Sequence, residues 1–209
     1  MKNKNKKIII ISIILILVIV VSVMVGCTFL KETPVEGPKN TVEVVDKIEA
    51  FGYQLEDRDT ELYKTTFMEL KKVLDNTEID YEAYASFLAK LFLIDLYTID
   101  NKISKYDVGA LDFIYETERE KFKNKLLDTM YKLVLDNSNH ERKQELPIVK
   151  SVNIEKIENT KYKKENIELS GFKVKAQIQY EKDLGYDKNV EVTIIKEENK
   201  LFVVNLSVL

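Results

Sequence analysis

The chain has 209 residues and a mass of 24.4 kDa, room for one ordinary domain and a short appendage but not for two well-buried domains. It carries 35 acidic and 32 basic residues, one His (His140), one Cys (Cys27) and no Trp. Cys/His zinc sites and intramolecular disulfides are therefore excluded. His140 lies in the polar run Asp136–Lys143, away from any candidate nucleophile, so it is assigned no role; no metal or cofactor is expected and the reading is non-catalytic.

Ile8 to Val25 is an apolar run interrupted only by Ser12 and Ser22, and Lys2, Lys4, Lys6 and Lys7 precede it. Eighteen residues of helix rise roughly 27 Å, close to the roughly 30 Å hydrocarbon core of a bilayer. The lysines keep the N-terminus cytoplasmic and direct the rest outward. Residues 1–26 are thus predicted to be a signal peptide or a membrane anchor. The run closes on Met24-Val25-Gly26-Cys27, which resembles the lipobox of bacterial lipoproteins. That resemblance implies lipidation at Cys27; the alternative is an uncleaved helix spanning the bilayer through residues 8–25. Either places the remainder at the cell membrane, on the extracytoplasmic side. Without residues 1–26 the formal charge moves from −3 to −7, because four lysines and no acids are removed. A chain so acidic is a poor match for phosphate backbones, and nucleic acid is excluded as a partner.

Residues 27–40 contain Pro34, Gly37 and Pro38 without periodicity and are predicted to be a tether. A single α+β domain is expected over 41–209, with a helical half at 41–139 and an antiparallel sheet at 147–209. The first predicted helix covers 41–55, on the spacing of Val42, Val45, Ile48 and Phe51, with Gly52 as a stop. A second starts at Asp59, capped by Asp57 or Asp59, with Leu62, Phe67, Leu70, Val73 and Leu74 inward. A third runs from the cap Asp80 to about Thr98 and is apolar nearly all round, which suits burial on several sides. Ala110–Tyr115 is a short strand or an irregular crossing, and a fourth helix covers 116–136, with Leu133 among its inward residues.

After Pro147 the period changes to two. Val152 and Ile154 alternate and Ile157 falls out of step, which predicts a bulge or a strand end. Lys156, Lys161, Lys163 and Lys164 are expected to form a solvated turn. Phe172 to Tyr180 is the clearest strand, followed by strands containing Val190, Val192 and Ile194, and then Phe202, Val204, Leu206 and Val208 on one side. The charge is uneven: 21 acidic against 13 basic residues over 40–139, and 12 against 13 over 140–209.

Helices first and antiparallel strands last is similar to the nuclear transport factor two-like, cone-shaped superfamily, a likeness carried by Phe172–Tyr180, Val190–Ile194 and Phe202–Val208. It implies a concave pocket between sheet and helices that serves catalysis in some members and binding in many. Tyr81, Tyr84, Tyr97 and Tyr106 are the candidate pocket residues, against a simpler role in core packing. Asp57-Arg58-Asp59 and the acids Glu116, Glu118 and Glu120 are taken as helix-start charges favoured by the dipole. The expected function is binding of an envelope protein or a small ligand. A scaffold subunit of a transport or secretion complex is the alternative, and a small carboxylate or tyrosine enzyme a distant third.

Overall fold

A computed structural model describes residues 42–164 and 167–209. The lipobox-like Cys27, the apolar run 8–25 and the tether lie outside the described residues. Among the described residues no helix is long and apolar enough to cross a membrane.

The element order is β1 (Val44–Ile48), β2 (Tyr53–Glu56), α1 (Glu61–Leu74), α2 (Tyr81–Tyr97), a 3₁₀ turn (Leu111–Phe113), α3 (Glu116–Asp128), β3 (Val149–Lys164), β4 (Ile167–Tyr180), β5 (Asn189–Glu197) and β6 (Lys200–Val208). Strands β3-β4-β5-β6 form one antiparallel sheet in sequence order, and β1-β2 form a separate hairpin. Among the described residues the fold is α+β with three α-helices, and Asn40–Leu209 forms one compact unit.

The predicted helix over 41–55 is corrected to the β1-β2 hairpin, with Ile48 paired to Tyr53. Gly52 sits at φ +69° and closes the connection by donating its N–H to the Ile48 carbonyl at 2.9 Å. Only a residue tolerant of the left-handed region fits there. Val44 and Val45 are exposed while Tyr53 and Leu55 are buried, so the burial follows a strand period and not a helical one.

Helix α1 is capped by Thr60, which accepts from the Tyr63 N–H at 3.3 Å, and not by Asp57 or Asp59. Helix α2 starts where predicted: Asp80 accepts from the N–H groups of Glu82 and Ala83 at 3.0 and 3.1 Å. It is the central element, with ten of its seventeen residues buried. Its N-terminal half meets the hairpin through Tyr84 and Tyr53, whose hydroxyls lie 2.6 Å apart, and Tyr53 also donates to the Leu201 carbonyl at 3.2 Å. Helix α3 ends at Asp128, short of the predicted 136, and Leu133 is exposed.

Two bulges explain the irregular periodicity of the strands. In β3 the partners Ile154–Ala176 and Lys156–Lys175 leave Glu155 extra, which restores Ile157 to the core side opposite Val174. The strand then continues to Lys164, so Lys161 and Lys163 lie in a strand and not in a turn, and Lys161 pairs with Glu168 at 2.5 Å. In β6 the partners Thr193–Asn205 and Ile194–Val203 leave Val204 extra. Leu206 and Val208 therefore share a side with Val203 and Leu201, while Phe202 turns to the opposite face and stacks on Tyr115 with ring centroids 4.1 Å apart. The expected single face of Phe202, Val204, Leu206 and Val208 is corrected accordingly. Gly171 permits the close crossing of β4 over β5, since a Cβ there would overlap the Ile194 carbonyl oxygen.

Candidate functional site

The polar groups gather at the C-terminal end of α2, where three irregular segments meet: residues 57–60, 98–110 and 129–147. Asp95 interrupts the apolar face of α2, and Lys102, with a side chain 2% exposed, places its ammonium 2.5 Å from Asp95 Oδ1. The other carboxylate oxygen of Asp95 accepts the Ala110 N–H at 2.6 Å. Ala110 is held at φ +67°, and Gly109 beside it leaves no room for a Cβ against the Asp95 carbonyl. Tyr131 closes the group, donating to the Leu96 carbonyl at 3.0 Å and accepting from the Gly109 N–H at 3.3 Å.

A second cluster surrounds Arg58. Its guanidinium grips both oxygens of Asp107 and reaches Glu56 Oε2 at 2.8 Å, so the Asp57-Arg58-Asp59 run is a tertiary anchor more than a set of helix-start charges. Burial pushes the Asp107 carboxyl up, but hydrogen bonds from Arg58 and from the Ile103 N–H outweigh it and leave the group below its ordinary value. Asp59 behaves oppositely. Burial raises it to about 6, partly offset by the hydrogen bond from the Glu56 N–H, and the neighbouring Asp95 raises it further. Arg142, from the third segment, donates to the carbonyls of Asp100 at 2.6 Å, Lys102 at 2.9 Å and Leu135 at 3.3 Å. It ties the loop after α2 to the segment that carries His140.

These loops frame an open hollow of about 310 Å³, within the range of small-molecule sites. Asp57, Asp100, Asn101, Asn137 and His140 contribute to its wall, with Val42 and Ile103 as apolar patches. The Asn101 side chain donates through Nδ2 to the Arg58 carbonyl at 3.4 Å, and its Oδ1 is buried with no hydrogen-bond partner among the described residues. A buried amide oxygen left without a donor costs about 1–3 kcal/mol. The charged lining residues are Asp57 and Asp100 with Arg58 and Lys102, and those two cations are paired behind the wall with Glu56, Asp107 and Asp95. A second hollow of about 400 Å³ lies on the sheet between Lys150, Gln179, Tyr180, Asp183 and Lys188.

The four predicted tyrosines are not brought together. Tyr84 is core, 2.6 Å from Tyr53, with burial pushing its hydroxyl up to about 12. Tyr81 packs beside it and carries the Lys196 ammonium over its ring at 3.4 Å. Tyr97 is thirteen residues further along α2, roughly 20 Å away, and packs edge-on against Tyr180. Tyr106 is 62% exposed in the loop after α2. None of the four lines either hollow. Sequence reasoning passed over Lys102, Asn101 and the wall position of His140; the available signal was Asp95, an acid between Ile94 and Leu96 that demands a buried partner. Among known proteins, no family model, curated protein or solved structure matches the chain.

Proposed function

We propose that the chain is a membrane-anchored extracytoplasmic binding protein of the bacterial cell envelope, held by a lipid on Cys27 and presenting its α+β domain to a small ligand or a partner protein. The observation that carries this is the sequence from Lys2 to Cys27: four lysines, an apolar run long enough to enter the bilayer, and a small residue directly before the single Cys. The tether at 27–40 then gives the domain reach above the lipid surface. The described core cluster runs from Ile48 to Val203, so the domain supplies its own apolar interior. An open hollow of small-molecule size supports binding as its task.

Metabolic labelling with a fatty acid tests the anchor. Label on the wild-type chain, lost in Cys27→Ser together with slowed processing, is the expected result. A mature protein that retains residues 1–26 and takes up no label would overturn lipidation and favour the scaffold subunit of a membrane transport complex.

A further inference from the structure

We infer that the end of the domain that carries the 310 Å³ hollow rests on the bilayer, with Leu133 and Leu135 entering the lipid and Val44, Val45 and Tyr106 at its surface. The inference rests on the reading of the chain as membrane-anchored, whether through Cys27 or through residues 8–25.

The first argument is where the exposed apolar side chains lie. Nine large hydrophobic residues are exposed among those described. Five of them, Val44, Val45, Tyr106, Leu133 and Leu135, are within four residues of Val42, Ile103 or Asn137, which line the hollow. Leu133 is 76% exposed and Leu135 61%, on either side of the buried Val134. Their backbone is fixed: Gln144 donates from Nε2 to the Leu133 carbonyl and accepts the Leu135 N–H at Oε1, each at 2.9 Å, and Arg142 donates to the Leu135 carbonyl at 3.3 Å. Two leucines held outward on a fixed segment form an apolar prong that docks with little further ordering.

The second argument identifies what covers them. The described chain starts at Val42, on the wall of the hollow that Asn137 also lines, so the link to the anchor joins the domain at this end. Residues 28–41 are all that separates Val42 from Cys27, a span of about 50 Å at most. The anchor therefore keeps lipid within constant reach of this end, and at such an effective concentration a few apolar side chains suffice for contact. The exposed charges beside the leucines balance, Lys132 and Lys143 against Asp136 and Glu141, so acidic headgroups contribute little and the contact is apolar. The Lys105 ammonium lies 4.9 Å over the Tyr106 ring, and an aromatic ring with a lysine beside it suits the headgroup layer. Ile167 offers the contrast. Strand β3 starts where the Val149 N–H meets the Thr98 hydroxyl at the end of α2, and it runs through roughly 50 Å of strand before Ile167 pairs with its last residue.

The chain has no Trp, so Leu133→Trp, Leu135→Trp and Ile167→Trp each introduce a single fluorophore, all at exposed positions. The full-length variants, purified from membranes with their anchor, would be reconstituted into phosphatidylcholine vesicles with and without brominated acyl chains, and flotation would report their association. Leu133→Trp and Leu135→Trp are expected to emit to the blue of Ile167→Trp and to be quenched by brominated lipid at least about threefold more strongly, with no change on adding salt or anionic lipid. Should one leucine variant fail to fold, the other carries the test. Solvent-like emission from both leucine variants in a protein that floats, or quenching equal to that of Ile167→Trp, overturns the lipid contact and leaves the anchor standing. A blue shift that brominated lipid does not quench and that grows with protein density assigns the leucines to a second copy of the chain, and also overturns it. A protein that does not float with the vesicles removes the anchor and the inference together.

Discussion

Lys102 Nζ lies 2.5 Å from Asp95 Oδ1, with the lysine side chain 2% exposed and the aspartate side chain 19% exposed. The pair is buried on the lysine side and half-wetted on the acid side, and it joins the last turns of α2 to the loop that frames the hollow. Removing one partner strands a charge away from water. Lys102→Met is expected to cost about 3–5 kcal/mol in urea unfolding, whereas Lys102→Met combined with Asp95→Asn should cost clearly less than the two single changes added together. A single-variant loss below about 1 kcal/mol would show the pair to be solvated and the loop held by other contacts.

Two carboxylates of the same region should give opposite pH slopes. Asp59 is raised to about 6 by burial, so the folded state holds its proton more tightly than the unfolded chain. Stability from that group is fully present below about pH 4 and is lost as pH rises through 6, a penalty of about 2–3 kcal/mol at neutral pH. Asp107 sits below its ordinary range because Arg58 and the Ile103 N–H outweigh its burial; its contribution is present above that range and fails only in strong acid. Asp59→Asn, which can still accept the Glu56 N–H, should raise the unfolding midpoint at pH 7 and flatten the change between pH 4.5 and 7. An unaltered slope in that variant would assign the titration elsewhere.

Much of the architecture is legible in the sequence because local rules and tertiary demands agree there. Asp80 followed by a surface apolar nearly all round yields a buried helix, and the alternation from Phe172 to Tyr180 survives as burial of Val174, Ala176 and Ile178. The failures come where they diverge. Val42, Val45, Ile48 and Phe51 match a helical spacing, but Val45 and Ile48 and the left-handed Gly52 belong to a hairpin whose buried residues are Ile48, Tyr53 and Leu55. The facing of Phe202 depends on one extra residue, Val204, which no period reveals. The candidate site is the least legible part, because Arg58 meets Asp107 across 49 residues of chain and Arg142 meets Lys102 across 40. Tyrosine abundance points instead to Tyr81, Tyr84, Tyr97 and Tyr106, of which the first three are accounted for by aromatic packing and the last is exposed.

Gly109 and Gly185 are expected to respond differently to alanine. A Cβ at Gly109 would overlap the Asp95 carbonyl and crowd its carboxylate, both part of a fixed helix, so Gly109→Ala should lose about 2–4 kcal/mol. Gly185, in the turn between β4 and β5, faces open space at φ +80°, and only the backbone strain of about 1 kcal/mol applies. Thermal unfolding of the two variants should rank them in that order; equal losses would mean that the loop after α2 yields more easily than its hydrogen bonds suggest.

Arg142 ties together two of the loops that frame the hollow. Its side chain is 2% exposed and its guanidinium spans the carbonyls of Asp100, Lys102 and Leu135, which belong to two segments far apart in sequence. Lysine keeps the charge but offers a compact ammonium on a flexible stem, which cannot satisfy three carbonyls in a planar fork. Arg142→Lys should therefore cost about 2–3 kcal/mol, concentrated in local opening of the two loops. Hydrogen exchange would report it at the Ile103 and Asn137 amides, whose acceptors are Asp107 Oδ2 and the Ile103 carbonyl. An acceleration of about tenfold or more at those amides, with the amides of β4 and β5 little changed, is the expected pattern. Uniform acceleration across the sheet would make Arg142 a contributor to global stability, and unchanged exchange at Ile103 would show that the loop is held without it.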